Sequence, residues 1–324
     1  MKRRTFLSAM ATLAGAAAAP VVRAQALPNG PVRIVVGFAP GGGTDVMARI
    51  IAQKLGGLWK VPVMVENKAG AAGIIAAEYV ARQPNDGNTL LMTNISNHAI
   101  APSLYPKLSY NVQRDFTPIM LVGVTPNLLI GNKDQKANTV AELVALCKQE
   151  PGAISFGSSG IGAAQHLALE LFKLQAHVET LHVPYRGSGA MASDLLGGQI
   201  DYSFETMTSA LPLIQSGKVK VLGQTRLKRA ASLPDVPTVA EQGYPKFDAS
   251  TWYGLVGPAQ MNAALVQRMN EDFNKVMLMP DVVERLVSFG AEDGGGTQQA
   301  FANFIDEEIV KWATVIREAN VQLA

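Results

Sequence analysis

Along most of the chain, short runs of β-branched and apolar residues alternate with longer stretches in which apolar positions recur every three or four residues. "VRIVVGF" (32–38), "VPVMVEN" (61–67) and "NTLLMTN" (88–94) read as strands, with helices "VMARIIAQKLGGLW" (46–59) and "AAGIIAAEYVARQ" (71–83) between them. On the first helix, Val46, Ile50, Ile51, Leu55 and Leu58 are spaced to share one face. A loop-rich passage follows, then the strand "TPNLLIGN" (125–132) and the helix "TVAELVALCKQE" (139–150), where Thr139 and Glu142 stand at capping-box spacing. "GAISFGSSGIGAAQHLALELFKL" (152–174) repeats the opening design of strand, glycine-rich loop and helix. "VETLHVPYRG" (178–187) is a strand entering a loop, and "MASDLLGGQIDYSFE" (191–205) is a helix, turn and strand. "SALPLIQSG" (209–217) and "VKVLGQT" (219–225) complete this half, and Thr238 and Glu241 give a second capping-box spacing. "STWYGLVGP" (250–258) is a further strand, and the tail is helical, with Ile305, Ile309, Trp312 and Ile316 forming one apolar core stripe.

Such alternation is the signature of α/β layers around mostly parallel sheets. No Pro/Ser-rich linker or charge block divides the chain, yet the two halves echo each other. The pattern predicts two α/β lobes joined by more than one crossing: residues 27–125 plus 246–324, and residues 126–245.

Composition narrows the class. Hydrophobic residues make up 48% and charged residues 17% of 324, which suits large cores and excludes a disordered chain. Residues 1–26 read as a cleavable signal peptide: basic "MKRR", apolar "FLSAMATLAGAAAAP", and Ala24-Gln25-Ala26 as a small-x-small site. Cleavage after Ala24 or Ala26 fits, and Arg3-Arg4 leaves both the general secretory and the twin-arginine route open. The apolar run is shorter than the ~20 residues a membrane span needs. Removing this segment leaves 24 basic residues against 26 acidic, a net of −2. No basic field remains for nucleic acid, and no later apolar run suits membrane insertion. Cys147, the only cysteine, lies four residues after Leu143 on a helical face and reads as a buried, inert thiol.

The glycine loops carry the candidate chemistry. "GFAPGGGTDVMARI" (37–50) lacks the lysine of a Walker loop, and Val46 stands where a dinucleotide fingerprint needs its third glycine. What remains is a helix start stripped of obstructing side chains, whose unpaired amides sit at the positive end of the helix dipole. That is an anion site suited to carboxylate or phosphate, with Thr44 as an added donor and Asp45 bonding nearby amides or a ligand's polar edge. The second loop places Ser158, Ser159, Gly160 and Gly162 before another helix. Ligands of open α/β sheets bind beyond the carboxyl ends of strands, so the two loops predict a cleft with an anion-friendly wall on each lobe. Ile161 and Phe156 stand where a nucleophile elbow needs glycine, which argues against catalytic Ser159 or Ser158. The four histidines show no metal-ligand spacing. His166 has two roles open to it, lining the cleft or bracing the loop. His98 and the polar Asn94, Ser96 and Asn97 follow a strand end at a candidate cleft edge. Arg186 can pair with a ligand carboxylate or brace a hinge through carbonyls. Tyr185, Trp252 and Tyr253 are candidates for an apolar part of the cleft, Trp252 more readily for the core.

These segments, with "VMVENKAGAAGIIAAEYVARQPNDGNTLL", "HVPYRGSGAMASDLLGGQIDYSF" and "LPDVPTVAEQGYPKF", resemble the Bug-type extracytoplasmic solute receptors of tripartite tricarboxylate transporters over nearly the whole mature chain. The resemblance implies a two-lobed, flytrap-like (type II) periplasmic binding protein. It would act without cofactor as a monomer, closing on a small organic carboxylate and delivering it to membrane transporter subunits. The family's first pincer matches Phe38, Ala39, Pro40, Gly41, Gly42, Gly43, Thr44 and Asp45, its second Ser158 to Gly162, and its "PYRG" element Pro184 to Gly187. Where the family usually carries Asp after the "GGQ" turn and strand, this chain has Glu205. Two rivals stand beside this reading: a sensor that presents its ligand to a membrane kinase, and a secreted hydrolase using Ser159 and His166.

Overall fold

The computed structural model describes residues 27, 28 and 30–323; the signal-peptide expectation on residues 1–26 lies outside them. Among the described residues, ten strands form two sheets: β1 (Val32–Val36), β2 (Val63–Asn67), β3 (Thr89–Asn94), β4 (Phe116–Thr125), β5 (Asn127–Asn132), β6 (Ser155–Ser158), β7 (Leu181–Pro184), β8 (Tyr202–Thr206), β9 (Val219–Gln224) and β10 (Thr251–Pro258). One sheet runs β2-β1-β3-β10-β4 and the other β7-β6-β8-β5-β9. The two are built alike. In each, the first three strands pair in parallel and the fourth is antiparallel to both neighbours. That reversed strand is always the one arriving from the other sheet: β5 follows β4 across Pro126 alone, and β10 follows β9 after residues 225–250. In each sheet four strands therefore run one way and one is reversed, because each crossing enters its new sheet head-down.

The crossings are tied together by buried side chains. Asn127 donates through Nδ2 to the Ala249 carbonyl (2.7 Å) and accepts from Thr251 Oγ1 (2.9 Å), while its own amide donates to Thr225 Oγ1 (2.8 Å). Arg226 reaches Glu292 (3.2 Å) and Asp293 behind this junction.

β4 replaces part of the passage read as loop. It is an edge strand with Pro118 inside it, and only an edge tolerates a missing ladder donor. Its partner β10 shifts register twice along it, the second time beside Pro118. On the helix Gly43–Trp59 the buried stripe is Met47, Ile51, Leu55 and Trp59; Val46 and Ile50 are half-buried and Leu58 is exposed. Thr238 and Glu241 do bond reciprocally (2.7 and 3.0 Å), but the box closes a turn and no helix continues from it. Thr139 caps the Glu142 amide (3.2 Å), whereas the Glu142 carboxylate reaches back to Asn138. The apolar stripe of the last helix, Gln298–Glu318, is core as expected, with Trp312 fully buried. Cys147 is fully buried, and burial pushes its thiol up to about 11.

Candidate functional site

All five strands β1, β3, β6, β7 and β8 end at one cleft of about 450 Å³ between the sheets. Four helices begin there: Gly43–Trp59, Ala164–Ala176, Ser188–Leu196 and Met207–Gln215. The sequence pointed to two such starts. None of the four has a side-chain cap. In the first, Val46 N is the earliest amide with a backbone acceptor (Gly42 O, 3.0 Å); in the second it is Leu167 N, and in the third Met191 N. The preceding amides carry the positive ends of the helix dipoles towards the cleft.

The glycines serve different ends. Gly41 adopts φ 85°, which favours glycine. A Cβ on Gly43 would strike the Tyr253 hydroxyl, so the helix start can approach β10 only without one. Gly42 is extended (φ −76°), and a Cβ there would meet only the Ala39 carbonyl, at 3.6 Å.

Phe38, Ala39, Pro40, Gly41, Gly42, Gly43, Thr44, Asn94, Ser96, Ser159, Arg186 and Glu205 line the cleft. Thr44 Oγ1 accepts from Asn94 Nδ2 (3.2 Å), which leaves its hydrogen available to a ligand. Arg186 is exposed at the rim, and among the described residues nothing accepts from its guanidinium, so the carbonyl-bracing role is not the one the structure gives it.

Six expected residues stand behind the cleft instead. Asp45 is occupied by its own loop: its carboxylate accepts from Gly41 N (2.9 Å), Arg49 Nε (2.8 Å) and Asn67 Nδ2 (2.8 Å). Burial opposes that charge, but these partners outweigh it and hold the carboxyl below the usual range. Ser158 Oγ lies 2.7 Å from His182 Nε2 and donates to Gly160 O (3.1 Å). Gly160 and Gly162 turn the loop at φ 147° and 77°. His166 braces it, its Nδ1 accepting from Gly162 N (3.2 Å) while its ring stacks on His182. Tyr185 donates to Asp194 (2.7 Å) and packs on the small core below. His98 is also removed from the cleft, fully buried against Phe116 and Tyr110. Ser159 Oγ donates to Gln165 Oε1 (2.9 Å) and not to His166, so the hydrolase pair is not assembled.

Other lining residues escaped the sequence reading: Gln165, Ser188, Gly189, Thr206, Thr208, Ser209 and Thr251. Two of these groups had a usable signal, since "RGSGA" is a glycine-rich and "FETMTSA" a hydroxyl-rich junction between a strand and a helix. Tyr253 lines the cleft, whereas Trp252 is core and donates to the buried Glu308 (3.0 Å). A second hollow, about 670 Å³, lies between helices Gly43–Trp59 and Pro280–Ser288; within it Lys54 pairs with Asp281 and Arg49 with Asp45.

Two like-built sheets, crossed twice and sharing one cleft at their strand ends, define a two-lobed α/β protein of the periplasmic-binding class. The family model "Tripartite tricarboxylate transporter family receptor" matches residues 47–321, and the chain belongs to that family. It is 36% identical to protein BugT of Bordetella pertussis over 96% of both chains. Among solved structures it resembles R. palustris Rpa4515 with adipate (32% identity, TM-score 0.87, 91% of this chain and 99% of that one). It also resembles MatC of Rhodopseudomonas palustris with bound malate (30% identity, TM-score 0.82, 90% and 100%).

Proposed function

We propose that this chain is an exported, periplasmic solute receptor that captures a small organic carboxylate between its lobes and delivers it to membrane transporter subunits of the tripartite type. The lobes are residues 27–125 with 246–324, and residues 126–245. The carrying observation is the convergence on one cleft of four helix starts without side-chain caps, in three of which the first amides are open, and of Arg186, which has no hydrogen-bond acceptor among the described residues; this arrangement attracts negative charge without supplying a nucleophile and base. Adipate and malate in the related structures support the same ligand class. Closure follows from geometry, because a ligand touching both walls favours the state in which both are within reach. A micromolar dissociation constant, about −8 kcal/mol, is the expected scale. A thermal-shift screen of mono-, di- and tricarboxylates followed by calorimetry tests the reading. Saturable binding of a carboxylate without turnover supports it, and turnover of the bound acid or its ester would replace it with an enzyme.

A further inference from the structure

Glu205 is the penultimate residue of β8, on the cleft wall, and is 1% exposed. Its two oxygens have different surroundings. Oε1 accepts from four donors: the Thr206 amide (2.7 Å), Gln165 Nε2 (3.1 Å), Thr206 Oγ1 (3.1 Å) and Ser188 Oγ (3.2 Å). Oε2 is buried and has no hydrogen-bond partner among the described residues. No cation pairs with the group among them either. Gln165 is held in turn by Ser159, whose hydroxyl lies 2.9 Å from its Oε1. The protein thus surrounds this carboxyl with donors, the setting of an ionised carboxylate, and leaves half of it unserved. Thr208 Oγ1, also on the cleft, is a second buried polar atom without a partner. A buried polar group left in this state costs free energy that a ligand recovers by completing the bond.

We propose that Glu205 Oε2 accepts a hydrogen bond from the ligand, so that the cleft selects carboxylates carrying a hydroxyl or amino donor over the parent acid of the same skeleton. This rests on the carboxylate reading above and narrows it. A second carboxylate brought to the ionised Glu205 would set oxygen against oxygen with no hydrogen to share, whereas an ammonium or hydroxyl supplies one. Burial pushes the Glu205 carboxyl above its ordinary range against the pull of its donors, and a ligand donor at Oε2 adds the missing support for the charge.

Calorimetry on the mature protein with three matched sets tests the proposal: propionate, lactate and alanine; butyrate, 4-hydroxybutyrate and 4-aminobutyrate; succinate, malate and aspartate. The donor-bearing members of at least one set are expected to bind tenfold or more tightly than their parent. Parent acids binding as well as or better than the others in every set would overturn the inference and leave the carboxylate reading intact. Binding by no carboxylate in these sets or the wider screen overturns both. Glu205→Gln supplies a reversal. Its carbonyl can keep the four donors while its amide turns into the cleft, so donor-bearing ligands should lose tenfold or more and the parent diacid should not. If that variant does not fold, the wild-type ladder still decides.

Discussion

His166 and His182 lie face to face behind the second loop, ring centroids 4.0 Å apart and planes 7° from parallel. Burial, then the charges of His182 and Lys173, hold His166 down to about 3, and burial with Lys173 holds His182 at about 4. His98, in its aromatic enclosure, is lowered by burial to about 3. All three are neutral when folded but titrate near 6.5 when unfolded. As pH falls from about 6.5 towards 4, the unfolded chain therefore binds more protons, and stability is lost. The expected slope is up to about 1.4 kcal/mol per pH unit for each histidine. Glu205 works in the opposite sense, since its raised pKa makes protonation a relief. Urea denaturation at pH 7, 6 and 5 checks the sum, and a constant unfolding free energy across that range would contradict the burial of neutral histidines.

Gly42 and Gly43 are neighbours with opposite expected phenotypes. A side chain at Gly42 meets only the Ala39 carbonyl, at 3.6 Å, so Gly42→Val should fold normally yet cover the open amides. Ligand affinity should fall about 100-fold, close to 2.7 kcal/mol. Gly43→Ala drives a methyl into the buried Tyr253 hydroxyl and should cost about 1–3 kcal/mol of stability as overpacking. Melting curves with calorimetry separate the two; unchanged affinity in Gly42→Val would remove the first loop from the site.

Arg186 tests whether a guanidinium meets the ligand. Arg186→Ala should leave the melting of the empty protein within about 0.5 kcal/mol of wild type, as for an exposed side chain with no hydrogen bond or ion pair among the described residues. Affinity should fall about tenfold or more, with a weaker salt dependence than wild type. Arg186→Lys should restore only part of it, because an ammonium cannot form the paired donor fork. Equal affinities in all three proteins would place Arg186 outside the recognition of charge.

How much of this was legible follows from how local each signal is. Gly41–Gly43 could be read because a strand, three glycines and a helix are contiguous, and the echo at Ser158–Gly162 likewise. The mixed sheets could not, since a strand's direction leaves no mark on its own alternation; β10 runs antiparallel yet reads like any buried strand. β4 was obscured by Pro118, which an edge position permits. Gln165 has no local signal at all, because its place is set by Glu205, forty residues away. His166 and Asp45 were visible as polar residues beside glycines, but their partners, His182 and Arg49 with Asn67, turn them into loop supports rather than cleft walls.

Asn127 is where the two crossings can be tested. It is fully buried, and its side-chain amide donates to the Ala249 carbonyl through Nδ2 and accepts from the Thr251 hydroxyl through Oδ1. Asn127→Ala orphans the buried Ala249 carbonyl's side-chain donor and removes the acceptor of Thr251, at about 1–3 kcal/mol for each group left unpaired. Because Thr225 Oγ1 also donates to Ala249 O (3.0 Å), that carbonyl keeps one partner and the lower end of the range is expected. The loss sits at the junction the chain crosses between sheets, so it should also change how the lobes are held. Small-angle scattering of the variant should then show a radius of gyration different from wild type without ligand, and the two should converge once a bound carboxylate bridges the walls. Identical scattering in both states, with normal stability, would mean that this hydrogen-bonded junction does not govern lobe position.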